Sequence, residues 1–313
     1  MLLSRKRVLA AKLESTAYAA EAAPGWGATF NVFDPIIQPN IESIDRLGQG
    51  SFGYLPSSTG LRSGTCTFRT ELTGDGAGAG VPAWASTFLP ACGWVATAGA
   101  FAPVSEVPGS NVKTITLGCY VDGVLKQIRG AMGSFVINLE NGKPANIDFT
   151  FVGAWTSATD ALIINPTYTT VMPLRFANSA LTVSGLTGAS APCVQSITID
   201  SGNAVSLLPC QANTDASGYK GGFIGGRRPT ITMNPEAELV QTNTFIADML
   251  ASTQDAFSVA LTDSTDTITI AAPKLQPINV QEGEREGLVT DDVTFLCCRS
   301  AAAGDDELTI TFS

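Results

Sequence analysis

VKTITLGCYVDGVLKQIRGAMGSFVINLENGKPANIDFTFVG, residues 112–153, is the stretch that decides the fold. Ile115, Leu117, Cys119 and Val121 alternate with Thr116, Gly118 and Tyr120, the period of a strand with one apolar face. Asp122-Gly123 follows, a pair that accepts positive φ at both central positions of a tight hairpin. Phe135, Ile137 and Leu139 alternate again, Asn141-Gly142 supplies the next turn, and Ile147, Phe149 and Phe151 give the last strand. The pattern predicts a four-strand antiparallel meander. Its outward positions are small and polar: Thr114, Thr116, Ser134, Asn138, Asn146, Asp148 and Thr150.

A second meander is expected from Phe257 to Cys298. Phe257, Val259 and Leu261 alternate, Asp263–Asp266 turns the chain, and Ile268 and Ile270 return it. Ile278 and Val280, a turn at Gly283–Gly287, and Val293, Phe295 and Cys297 follow. The echo extends upstream. LRSGTCTF at 61–68 matches GRRPTITM at 226–233, with Thr65 over Thr230 at an offset of 165 (230 − 65). WASTFLPA at 84–91 matches FIADMLAS at 245–252, at an offset of 161 (245 − 84). Equal order at nearly constant spacing is the mark of an internal duplication. The expected organisation is an arm at 1–30, one β-domain at 31–165, a linker at 166–177 and a second β-domain at 178–313, each domain with one short helix. The first helix should span Pro82–Cys92, shortened by Pro90 and closed by Gly93. The arm should hold a short helix and then a flexible run. Long Gly-rich loops are expected at 47–63, with exposed Phe52 and Tyr54, and at 208–228, with exposed Tyr219 and Phe223. Phe30–Phe33 and Ile41–Ile44 read as separate short strands, and 95–107 as a loop.

Composition narrows the function. The chain has 313 residues, a net charge of −10 and no His. Phosphate binding needs clustered Lys and Arg, and eighteen spread along the chain do not supply it, which argues against specific DNA binding. A Ser-His-Asp triad and the Cys/His zinc patterns both require His. Asp291-Asp292 would point to opposite faces of a strand, and Asp305–Glu307 sit in a turn, so neither supplies a facing carboxylate pair. Gly48–Gly53 fits G-x-G-x-x-G but lacks the strand-to-helix setting and the lysine of a nucleotide site. No catalytic residue, metal or cofactor is expected. The seven cysteines fall in no C-x-x-C spacing, and Cys66, Cys119 and Cys297 occupy apolar strand positions, as expected of reduced thiols in a cytosolic folding environment. The apolar run at Val8–Ala11 is broken by Lys12 and Glu14, too short for a signal peptide, and no stretch approaches a membrane span. Charged residues make up only 15% of the chain, so much of the surface is expected to be buried against other subunits.

Arg7-Val-Leu-Ala-Ala-Lys12-Leu-Glu14-Ser-Thr-Ala-Tyr18, the segment Leu72–Gly76 followed by Pro82-Ala-Trp and Ala91-Cys-Gly93, and the ending Gly304–Phe312 resemble the major tail tube proteins of long-tailed bacteriophages. A missing Gly after Tyr18, Pro90 within the helix and the long 209–228 loop depart from the family pattern. The resemblance implies β-sandwich tube domains whose rings stack into a hollow virion tail that conducts the genome. Such tubes commonly place six domains around the axis, so two per chain implies a trimeric ring. It also implies tape-measure, terminator and distal or baseplate proteins as partners, besides other copies of the chain. Ring-stacking candidates are Phe52, Tyr54, Tyr219, Phe223, Arg227 and Arg228. Lumen-facing candidates are Thr116, Asn138, Asp148, Thr150, Thr269, Asp292 and Thr294. Competing readings are a secretion-system tube ring and a glycan-binding β-sandwich adhesin.

Overall fold

A computed structural model describes residues 3–21, 30–50, 52–78, 80–183, 193–212, 215–239 and 245–313. β1 (Arg7–Leu13), β2 (Val32–Leu47) and β3 (Tyr54–Glu71) precede helix α1 (Ala83–Phe88), which tightens into a 3-10 turn at Leu89–Cys92. β4 (Trp94–Thr97) and β5 (Ala100–Pro103) form a small hairpin before β6 (Ile115–Val121), β7 (Val124–Glu140) and β8 (Asn146–Asp160). β9 (Ala180–Val183) and β10 (Val194–Asp200) follow, then the hairpin of β11 (Asn203–Pro209) and β12 (Tyr219–Arg227). β13 (Thr230–Pro235), helix α2 (Phe245–Ala251), β14 (Asp255–Thr262), β15 (Thr267–Arg285), β16 (Leu288–Cys297) and β17 (Thr309–Phe312) complete the chain.

The same six-strand order occurs twice. The first half hydrogen-bonds in the order β1-β6-β7-β8-β3-β2, and the second in the order β9-β14-β15-β16-β13-β10. The registers agree as well as the order. Thr65 faces Val152 and Thr230 faces Leu296, so the 165-residue offset on one strand meets an offset of 144 (296 − 152) on its partner. A bulge interrupts β6–β7 between Leu117↔Ile128 and Ile115↔Ala131, and one interrupts β14–β15 between Phe257↔Ala272 and Asp255↔Leu275. Each bulge marks a change of neighbour along a long central strand: β7 pairs with β6 before its bulge and with β10 well beyond it, and β15 pairs with β14 only up to its bulge. β16 and β17 together match the single strand β8, since Lys126 faces Ala158 as Ile270 faces Ile310.

One hydrophobic core runs through both halves. Phe68, Phe88, Phe149 and Phe151 stack within it, with Phe68–Phe149 centroids 5.3 Å apart. Trp84 of α1 lies edge-on to Phe312 of β17, and Phe245 of α2 packs on Phe295. The expected helix is present. It passes from α to 3-10 hydrogen bonding at Leu89, where Pro90 follows, and Gly93 closes it in the left-handed conformation with φ +75°.

Several expectations are corrected. The first meander has three strands, because β7 runs unbroken from Val124 to Glu140 through its bulge. The arm holds strand β1, paired to β6, where a helix was expected: Val8, Leu9, Ala10 and Ala11 are buried by pairing and packing. The rest of that expectation, at 22–29, lies outside the described residues. The short strands at 30–33 and 41–44 are parts of the single strand β2. The 47–63 loop is largely the distal part of a long β2–β3 hairpin, and the 208–228 loop is mostly strands β11 and β12. The stretch at 95–107 contains β4 and β5, whose edge is used by β17. Within the expected linker, Leu174 and Phe176 are buried; the Leu174 carbonyl accepts from the Ala145 amide at 2.8 Å and its amide donates to the Leu72 carbonyl at 3.1 Å.

Candidate functional site

Eight strands form one continuous antiparallel run, β2-β3-β8-β7-β10-β13-β16-β15. The halves join inside it, where β10 pairs with the distal part of β7 and Asp200, Ile199 and Thr198 face Val136, Ile137 and Asn138. Strand alternation sorts the run into two faces. One face carries the core row Ile147–Ile137–Ile199–Ile231–Phe295. The other carries the row Glu71–Asn146–Asn138–Thr198–Thr232–Thr294–Asn279, polar in seven consecutive strands. Beside it runs Arg69–Asp148–Val136–Asp200–Thr230–Leu296. Arg69 holds Asp148 in a two-pronged pair at 2.7 and 3.1 Å, and Asn138 donates to Asp148 at 2.9 Å. Glu71, Asp148 and Asp200 against Arg69 leave these two rows net negative, and Glu140 and Asp292 add carboxylates to the same face.

Of the lumen candidates, Asn138, Asp148, Thr150, Asp292 and Thr294 share this face. Asp148 and Asp292 occupy equivalent positions of β8 and β16, as do Thr150 and Thr294, again at the offset of 144 (292 − 148). Thr269 lies instead where β15 pairs with β14 and β17. Thr116 is corrected outright. It is fully buried beside β1, where it donates to the Glu14 carboxylate at 2.7 Å.

Glu14 was not singled out from sequence for any role. Its carboxylate also accepts from the Thr114 hydroxyl and, at 2.7 Å, from the Gly130 amide at the β7 bulge. Burial pushes its carboxyl up from the ordinary value, against the pull of those donors. Gly130 takes φ +54° there, a conformation that favours glycine. Next to it the buried Arg129 donates to the carbonyls of Tyr18 at 2.9 Å and of Lys220 and Tyr219 at 3.1 Å, and pairs with Asp215. Burial works against the Asp215 charge, but hydrogen bonds from Ser217 and Arg129 outweigh it and hold its carboxyl below the usual range. Arg129 therefore clasps the β11–β12 hairpin of the second half onto the first. The signal in the sequence is slight: an Arg-Gly pair between Ile128 and Ala131-Met132.

The stacking candidates divide. Phe52 is fully exposed and Tyr54 is 68% exposed, at the end of the β2–β3 hairpin. Beyond Ser63 that hairpin leaves β8; the Arg62 amide donates to the Ser217 carbonyl at 2.8 Å, and further out β2 and β3 pair with each other, exposing Ile41, Ile44, Leu47 and Leu55 as well. Tyr219 and Phe223 are half-buried in the docked hairpin, contrary to the expectation of exposure. Arg227 pairs with Asp305 at 2.9 Å and Glu307 at 3.3 Å, which ties β12 to the C-terminal turn. Arg228 is exposed.

Among the described residues no cluster of three or more His, Cys, Asp or Glu could hold a metal ion, and no helix is long and apolar enough to cross a membrane. A family model described as phage tail tube protein matches residues 4–297. No curated protein matches the chain.

Proposed function

Since the chain belongs to the phage tail tube protein family, a family of structural virion proteins, we propose that it polymerises as stacked rings into the hollow tube of a phage tail. The observation that carries this reading is the eight-stranded run with one apolar and one polar, acidic face. A wall needs those two faces: a packed core behind and water in front. Among the described residues the run ends in two edges that no strand pairs, β2 and the distal part of β15, and edges of this kind are closed in an assembly by a neighbouring copy. The two six-strand units, one made by residues 31–165 together with β1 of the arm and one by residues 178–313, are read as duplicated tube domains, which together offer two of six positions around an axis. Three copies close the ring by head-to-tail contacts. The wall then has roughly twenty-four strands, and at ordinary strand spacing and tilt its backbone diameter is on the order of 45–50 Å, wider than a DNA duplex.

The polar face lines the lumen in this reading, with Asn138, Asp148, Thr150, Asp292 and Thr294 turned to the passing genome. Carboxylates repel phosphate, so DNA slides without sticking. Phe52 and Tyr54, at the tip of the exposed hairpin, are the ring-to-ring contacts. The partners are other copies of the chain, the tape-measure protein within the tube, and terminator and distal proteins at its ends, with assembly in the host cytoplasm. Negative-stain electron microscopy of the purified protein tests the reading. Tubes or stacked rings support it, and monomers alone across protein concentrations and ionic strengths overturn it. A salt-sensitive shift of duplex DNA by the protein would contradict the non-adhesive lumen.

A further inference from the structure

We propose that the edge of β2 in one copy adds to the distal edge of β15 in the next, antiparallel, with Gln38 opposite Gln281, Ile37 opposite Glu282 and Ile36 opposite Gly283. The proposal rests on the ring reading above and specifies its seam. The register follows from the junction already present within the chain. On one side, Asp200, Ile199 and Thr198 of β10 stand opposite Thr230, Ile231 and Thr232, while Gln38, Ile37 and Ile36 of β2 stand opposite Thr65, Cys66 and Thr67. These β13 and β3 positions are equivalent at the offset of 165, so Gln38 is the counterpart of Asp200. On the other side, Val136 faces Asp148 and Gln281 faces Asp292, equivalent positions of β8 and β16. Gln281 is therefore the counterpart of Val136, and Asp200 faces Val136 within the chain. Repeating that contact between copies gives the stated pairs. Among the described residues no strand pairs with either edge.

Two further observations agree with it. One more step of the register sets Pro35 opposite Glu284, and proline sits at a strand edge because it has no N–H to offer. The Arg7 guanidinium reaches the Pro35 carbonyl at 3.4 Å while its buried Nε has no acceptor, and Arg5 and Lys6 precede it. The β15 edge meets this basic corner with Glu282 and Glu284, and Asp291 stands opposite Glu282. The Asp291 carboxyl is raised by burial and by the charges of Glu282 and Asp292, a crowding that a neighbouring cation relieves. The second observation is the hairpins. The β11–β12 hairpin, inserted between β10 and β13, docks on β7 of the first half through Arg129. The distal β2–β3 hairpin occupies the corresponding place in the first half and is exposed. The same seam lays it on the neighbouring copy, where its exposed Ile41, Ile44 and Leu55 gain cover.

Cysteine cross-linking tests the register in the full chain. Directly opposite residues have Cα atoms about 4.5–5.5 Å apart, within the disulfide range of about 4.4–6.8 Å. The double variant Gln38→Cys/Gln281→Cys, mildly oxidised as assembled tubes, should run as a covalent trimer without reductant. The double variant Gln38→Cys/Glu284→Cys and each single variant should give about tenfold less cross-linked product, because three residues along a strand span roughly 10 Å. The single variants also measure any cross-linking by the native cysteines. If tubes form but the shifted pair cross-links better than the matched pair, the register is wrong and the tube reading stands. If the unsubstituted protein forms no tubes under any condition, the ring reading fails and the seam with it.

Discussion

Replacing Arg129 by Met removes the clasp between the halves while keeping the length of the side chain. The buried guanidinium donates to three backbone carbonyls and to Asp215. Breaking a buried ion pair by deleting one partner costs about 3–5 kcal/mol, since the remaining charge stays buried and uncompensated. The Asp215 side chain is 28% exposed and keeps its hydrogen bonds from Ser217, so the lower end applies. Met also restores apolar contact along the stem of the lost Arg, leaving an expected loss of about 3 kcal/mol. Urea unfolding of the unassembled protein reads this as a lower midpoint at unchanged slope. Hydrogen exchange adds location: amides of β11 and β12 should exchange faster in the variant, while those of β7 and β8 should not. A loss below about 1 kcal/mol together with unchanged protection of residues 203–227 would refute the assignment of Arg129 as the clasp.

Phe149→Ala empties the centre of the aromatic stack between Phe68 and Phe151 and should cost about 3–5 kcal/mol in the same unfolding assay. Glu14 carries a pH signature. Its folded pKa is raised above the ordinary 4.5, so the native state holds the proton more tightly, and this stabilisation is fully present below that value and lost as pH rises through the folded pKa. The stability of the unsubstituted chain relative to Glu14→Gln should therefore fall as pH rises from 4 to 7, by denaturation at each pH; a relative stability that rises over that range contradicts the burial argument. Phe52→Ser with Tyr54→Ser touches no core, so stability should stay within about 0.5 kcal/mol while tubes seen by electron microscopy become shorter. Normal tubes from that variant would remove the hairpin tip from the stacking contact.

What could be read from the residues was the part governed by local periodicity. Alternation named the buried side of the distal part of β7 and of β8, β14, β15 and β16, and Asp122-Gly123 took positive φ at both residues as its turn type requires. The repeat was legible because Thr65 and Thr230 keep both spacing and residue type. Burial set by a distant element was not legible. Thr116 looks like an outward polar residue until β1 covers it with Glu14, a partner 102 residues away. The distal β2–β3 hairpin reads as a loop because Gly, Ser and Pro are frequent in it. Its strands are held by pairing with each other, which overrides propensity. The expected exposure of Tyr219 and Phe223 fails for a similar reason: aromatics among glycines are exposed in a free loop and half-buried once Arg129 anchors the hairpin.

The central claim is that each chain supplies two equivalent wall segments to a tube. Helical reconstruction of the assembled tube at side-chain resolution tests it most directly. The expected map has three chains per ring, true three-fold and approximate six-fold symmetry, and a continuous barrel of eight strands per chain with Asn138, Asp148, Thr294 and Asp292 facing the lumen. A ring of six chains, or a lumen lined by the other face of the sheet, would contradict it.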